Sequence, residues 1–193
     1  VEPSCPQEVK DWVNLSFQLG AAGQLYIGYL ITVALADGGG TVECYPNHYP
    51  KLNSKQRRTL TYADDIEPTL DQTVLLPPRT GRREVALEAS FEVIKSKARE
   101  LGINRILYPP QKGERVPLGF IGSGIGYAHL AHALTELGLT GRFPILKLGM
   151  SYPVDDKIVI DFAHRCDRIV VVEERRSFVE RQVTQILNPL RQN

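Results

Sequence analysis

Gly122-Ser123-Gly124-Ile125-Gly126-Tyr127 joins a short apolar run to a helical pattern. A glycine-rich turn between a strand and a helix leaves backbone N–H groups free to meet an anion. The dinucleotide fingerprint would need a third glycine where Tyr127 stands, so a nicotinamide site is disfavoured. The same glycines also serve a tight turn with close helix–strand packing, and both readings stay open. Glu173 and Glu174 close the apolar run IVVV. Carboxylates at that end of a parallel strand can hold a ribose, a substrate amine or an arginine, or can complement the N-terminus of the next helix. Arg175 and Arg176 beside them offer an exposed ion-pair network. Lys147 is the only charge in FPILKLGM, and a lysine in a buried strand is costly unless it reaches water or a partner. Tyr152 follows and is placed to pack against Tyr127. The ligand or interface candidates are Gly122, Ser123, Gly124, Gly126, Tyr127, Lys147, Tyr152, Glu173 and Glu174.

Other chemistry is thinner. His129 and His132 lie three apart, which permits a metal pair, but no third ligand is identifiable; they read as helix-face histidines, and no metal site is assigned. His164 falls in a last helical turn, where a cation complements the dipole. Cys166 precedes a strand and reads as packing. No nucleophile elbow, P-loop or zinc-protease helix occurs, and no catalytic residue is assigned.

The elements that would position these groups follow from period and punctuation. Pro6 opens a helix through PQEVKDWVNLSFQLG, with Val9, Val13 and Phe17 as its apolar stripe and Gly20 and Gly23 ending it. LYIGYLITVAL (25–35) reads as a strand or two, and TVECY after the triple glycine could pair back as a hairpin. Residues 46–83 show no sustained period and read as an irregular arm. REVALEASFEVIKSKARELGI (83–103) is helical, with Val85 and Ala89 opening its apolar face, and 108–117 is a Pro/Gly connector. Then come strand 117–122, helix 127–138, strand 143–150, a helix capped by Asp155 or Asp156, strand 167–174 and helix 176–187. That alternation predicts an α/β fold, a three-layer α/β/α mainly parallel sheet with right-handed crossovers. IVVV reads as a central strand. The expected division is 1–45, 46–83, 84–115 and 116–193.

Composition narrows the field. Among 193 residues, 42% are hydrophobic, and 23 Lys and Arg nearly balance 22 Asp and Glu, for a net charge of +1. That is too balanced for a protein that binds nucleic acid by neutralising phosphates. No run approaches a membrane span. Three cysteines without CxxC spacing argue against a disulfide framework and iron–sulfur ligation in this segment, and fit a reducing, cytoplasmic setting. The opening VEPSCPQEV reads like a piece from within a longer polypeptide.

GFIGSGIGYAHLAHALTELGL, FPILKLGMSYPV and CDRIVVVEERRSFVERQV, in that order, resemble the transketolase C-terminal-like domain of the 2-oxoacid:ferredoxin oxidoreductases, and most nearly the indolepyruvate ferredoxin oxidoreductase α-subunit, over residues 116–188. Upstream, PSCPQEVKDWVNLSFQLG is similar to the last helix of that family's pyrimidine-binding domain, LYIGYLITVAL to the strand after it, and REVALEASFEVIKSKARELG to the helix leading into the C-terminal-like domain. The resemblance implies a parent enzyme that binds thiamine diphosphate and magnesium, decarboxylates an arylpyruvate or related 2-oxo acid, and passes electrons through iron–sulfur clusters to ferredoxin, with coenzyme A as acyl acceptor. The family's GDG motif, its cysteine runs and its thiamine-activating glutamate are not in this sequence. The resemblance therefore implies an inactive structural or interface domain of an oxidoreductase, partnered by other domains or subunits and homo-oligomeric. The alternative is a stand-alone α/β nucleotide- or coenzyme-binding module using the 122–126 turn and Glu173.

Overall fold

The computed structural model describes residues 1–46 and 76–191. The chain divides into two compact units, one of residues 1–42 with 91–193 and the other of residues 43–90. The irregular arm expected over 46–83 falls mostly outside the described residues. Its last part is helical, because α3 starts at Arg79.

In the larger unit, helix α1 (Pro6–Gly23) carries its proline in the first turn, and Gln24 ends it in the left-handed region at φ 52°. The buried face is not the Val9/Val13/Phe17 stripe. Glu8, Trp12, Ser16 and Leu19 are buried, while Val13 and Phe17 are 46% and 75% exposed. The helix is turned by about one residue because a buried ion pair and Trp12, rather than the most apolar stripe, dock it on the sheet.

Residues 25–31 form no strand, contrary to the expectation. They run beside α1, where the Tyr29 hydroxyl donates to the Glu8 and Val9 carbonyls at 3.1 and 2.8 Å. Helix α2 (Val33–Ala36) follows. Residues 41–46 form no hairpin strand. β propensity supplies a strand-like chain but no ladder without a neighbour. Helix α3 (Arg79–Glu100) buries Ile94 and Ala98, whereas Val85, expected on its apolar face, is exposed.

Four strands follow: β1 (Asn104–Leu107), β2 (Val116–Ser123), β3 (Ile145–Leu148) and β4 (Cys166–Val172), in the order β1-β3-β2-β4. β2 is parallel to both β3 and β4, and β1 adds an antiparallel edge. The mainly parallel sheet is as expected; two details are not. β1 lies in the stretch leading into the expected connector. IVVV belongs to an edge strand, with Asp167, Arg168 and Val170 exposed. An apolar run indicates covered faces, not two paired edges.

Helices α4 (Gly124–Glu136), α5 (Asp156–Ala163) and α6 (Val179–Arg191) complete the unit. On one face of the sheet, Ile121, Leu146 and Leu148 pack with Ile158, Val159 and Phe162 of α5 and Val179 and Val183 of α6. The register places Arg105, Lys147, Gly122 and Val172 in one row on the opposite face, under α1 and α4. Asp155 is the cap of α5; it accepts from the Lys157 N–H at 3.1 Å and pairs with Arg99 while fully buried.

Candidate functional site

Lys147 answers the demand its sequence makes. Its side chain is 3% exposed, and its ammonium donates to the Glu8 carboxylate and, at 2.7 Å, to the Ser4 hydroxyl. The charge also lies 4.4 Å from the Tyr127 ring centre and 5.4 Å from that of Trp12, near enough for cation–π attraction. Glu8 is filled from several sides. Its second oxygen accepts from the Ser4 N–H and hydroxyl at 2.9 and 2.8 Å, and Arg105 approaches the first at 3.3 Å. Burial pushes the Lys147 ammonium below its ordinary range, and the Glu8 carboxylate pulls it back up. Burial likewise raises the phenol of Tyr127. Ser4, Glu8 and Trp12 recur every fourth residue along one side of the first helix and its lead-in, so one helical face supplies three of the partners.

The glycine turn is close-packed. A Cβ on Gly122 would stand 3.2 Å from the Tyr127 Cα, and one on Gly126 would stand 2.8 Å from the Val172 carbonyl oxygen. Gly124 has φ +46°, and the Glu2 side chain sits where its Cβ would be. The Ser123 hydroxyl donates to Glu2 at 3.3 Å. The start of α4, where an anionic ligand would meet N–H groups, is thus covered by the chain's own carboxylate.

Glu173 caps α6. One oxygen accepts from the N–H groups of Phe178 and Val179 at 3.0 and 2.7 Å, and the other from Glu180 at 3.0 Å. Glu174, Arg175 and Arg176 are exposed beside it and line, with Ser123 and Ser151, a shallow cleft of about 220 Å³. Tyr152 does not meet Tyr127. It stands 6.0 Å from Phe91, edge to face, and 6.2 Å from Phe178, at the rim of a mostly apolar cleft of about 300 Å³.

The fold therefore gathers Gly122 to Tyr127 with Lys147, brings Ser123 and Gly126 of that turn into one shallow cleft with Glu173 and Glu174, and sets Tyr152 apart. The sequence reading missed Glu8, Ser4, Trp12, Glu2 and Arg105. A lone lysine in an apolar strand was the usable signal, since it requires a buried carboxylate elsewhere. His129 and His132 are exposed, and among the described residues no three His, Cys, Asp or Glu side chains converge as metal ligands. Cys166 is buried, as packing requires, and its thiol is pushed up by that burial. No helix among the described residues is long and apolar enough to cross a membrane.

Residues 110–193 match the model of the indolepyruvate oxidoreductase domain. Nearly the whole chain aligns with curated members of that group: 29% identity over 185 residues with the indolepyruvate oxidoreductase subunit IorA of Methanothermobacter marburgensis, covering 95% of this chain and 27% of that protein. The chain is similar to the indolepyruvate oxidoreductases over these spans. The IorA subunit of Methanothermobacter thermautotrophicus is 28% identical over 99% of this chain and 28% of its own length; that of Archaeoglobus fulgidus is 28% identical over 95% and 27%. The chain thus spans about a quarter of these relatives. A solved 2-oxoglutarate:ferredoxin oxidoreductase from Magnetococcus marinus is also similar, at 12% identity and a TM-score of 0.35 over 59% of this chain and 18% of that one, an overlap too slight to argue from.

Proposed function

We propose that this chain is the part of an indolepyruvate-type 2-oxo acid oxidoreductase subunit that holds domains and subunits in register and carries no reaction centre of its own. One observation carries the reading: the polar groups most suited to chemistry are committed to one another. Lys147 is sealed by Glu8 and Ser4, Glu173 by three helix N–H groups, and the turn before α4 by Glu2. Alignment with about a quarter of each relative supports a part rather than a whole enzyme.

The parent enzyme, on this reading, uses thiamine diphosphate with magnesium and iron–sulfur clusters, oxidises an arylpyruvate-like acid and passes the acyl group to coenzyme A. The residues of this chain do not fit those groups. A diphosphate at the start of α4 would meet the Glu2 carboxylate, and the three cysteines lack cluster spacing.

Calorimetric titration of the chain with thiamine diphosphate and Mg²⁺ tests the reading. No heat of binding is expected, and micromolar affinity would overturn it. A thermal-shift series with nucleotides and coenzyme A tests the module alternative: stabilisation at submillimolar ligand would favour that instead.

A further inference from the structure

The parallel strands β2, β3 and β4 end at one margin of the sheet, and the loops that leave them border two adjoining clefts. β2 and β4 are neighbours, yet α4 follows β2 on the α1 face and α6 follows β4 on the other. Open sheets take ligands outside such strand ends, where neighbouring connections diverge. The cleft of about 220 Å³ lies there, between Ser123 at the end of β2 and Glu173 to Arg176 after β4. The cleft of about 300 Å³ is walled by Phe91, Ile94, Met150 and Tyr152. Ser151 and Leu30 line both, and Phe178 of the first stands 6.2 Å from Tyr152 of the second. An open polar group sits at the junction. Ser151 is 9% exposed, and its hydroxyl has no partner among the described residues. Its carbonyl accepts from the Gln182 side chain at 3.0 Å, and Gln182 accepts from the Val154 N–H at 3.0 Å. α6 thus pins the backbone of this loop at two points and leaves the Ser151 hydroxyl unused. Arg175 and Arg176 are exposed, and neither guanidinium has an ion pair or hydrogen bond among the described residues.

We propose that the two clefts together bind a small aromatic monocarboxylate, its ring in the apolar cleft and its carboxylate at the junction, on the Ser151 hydroxyl and the Arg175 and Arg176 guanidiniums. Phe91 and Tyr152 already meet edge to face at 6.0 Å, and a flat ring beside them extends a set of contacts that aromatic groups favour. A cleft of about 300 Å³ is at the lower end of small-ligand sites and suits a single ring. The forked guanidinium matches a carboxylate. The site suits one negative charge rather than two. Glu2, Glu173 and Glu174 line the same cleft, and Glu173 takes the N–H groups at the start of α6. A phosphate would meet those carboxylates without the helix N–H groups that favour it elsewhere. An apolar segment laid over this margin would strand the hydroxyl and both guanidiniums without partners, whereas a carboxylate satisfies all three. The inference goes beyond the register-holding reading and does not rest on it, because the bound acid undergoes no reaction here.

Ligand-observed NMR titration of the 193-residue chain with phenylacetate provides the test. A Kd of about 0.1–1 mM is expected, the range open to a ligand of about ten heavy atoms. Acetate, which lacks the ring, and 2-phenylethanol, which lacks the charge, are each expected to bind about tenfold more weakly or worse; phenyl phosphate is expected to bind more weakly than phenylacetate. Ser151→Ala takes no hydrogen bond from the free chain, so its melting temperature without ligand should be unchanged while affinity falls about 5–10-fold. Arg175→Ala with Arg176→Ala is expected to weaken binding about tenfold or more. Both arginines are exposed, and circular dichroism should match the unmodified chain. A phenylacetate Kd above about 10 mM, 2-phenylethanol binding as tightly as phenylacetate, or affinity unmoved by the two variants overturns the proposal. Phenyl phosphate binding more tightly than phenylacetate overturns the choice of a carboxylate. If the double alanine variant loses its fold, Arg175→Gln with Arg176→Gln is measured in its place and must still weaken binding.

Discussion

Replacing Lys147 with Met removes a charge and keeps the length of the side chain. Glu8 then remains buried with the Ser4 N–H and hydroxyl at 2.9 and 2.8 Å and the half-exposed Arg105 at 3.3 Å. Removing one partner of a buried ion pair costs about 3–5 kcal/mol, because the other charge stays desolvated without its counterion. The Ser4 donors and Arg105 soften that loss, which places Lys147→Met near about 3 kcal/mol. For a fold of this size the fall in melting temperature is about 10 °C. Glu8→Gln combined with Lys147→Met removes both charges, and the Trp12 and Tyr127 rings accept a thioether well. The double variant is expected within about 1–2 kcal/mol of the unmodified chain, a strongly non-additive outcome. Urea unfolding followed by circular dichroism measures all three variants. A loss under about 1 kcal/mol for Lys147→Met, or a double variant costing the sum of the singles, would refute the buried pair as the clamp between α1 and the sheet.

Asp155→Ala removes a helix cap and strands Arg99, so a loss of about 2–4 kcal/mol is expected by the same unfolding assay. Gly126→Val places a side chain against the Val172 carbonyl, where a Cβ already meets it at 2.8 Å; about 1–3 kcal/mol should be lost, with no change if the turn were loose. Glu173→Ala frees three N–H groups and should cost about 1 kcal/mol without altering any nucleotide or coenzyme A thermal shift. Tyr29 bears on alkaline stability: burial first, then the Glu8 and Asp11 carboxylates, push its phenol up to about 12 from 10.0. The folded state then holds that proton longer than the unfolded chain, so the contribution is whole below pH 10 and is lost as pH rises toward 12. Tyr29→Phe should flatten the fall, and absorbance titration of the phenolates should show one late-ionising tyrosine missing.

Much of this protein was legible in its residues. Apolar runs alternating with helical periods marked the β2-to-α6 succession, Asp155 announced a cap, and three motifs in order pointed to the indolepyruvate oxidoreductases that the chain is similar to. These are local properties, and local periodicity and turn chemistry express them directly. What the neighbours decide was not legible. Asn104–Leu107 is a strand because β3 lies alongside, and IVVV is an edge because β2 takes the middle. Val13 and Phe17 of the expected stripe are exposed because Lys147, 139 residues away from Glu8, requires that carboxylate. The contacts that Glu2 makes at Gly124 and that Glu173 makes with the start of α6 were not legible for the same reason: which groups a carboxylate reaches depends on distances that exist only after the helices have docked. Amino-acid order set the elements and their approximate ends; pairing partners, burial of charge and the choice of exposed face came from the packed whole, where the cost of desolvating Lys147 and Glu8 outweighs the gain from covering a few more apolar side chains.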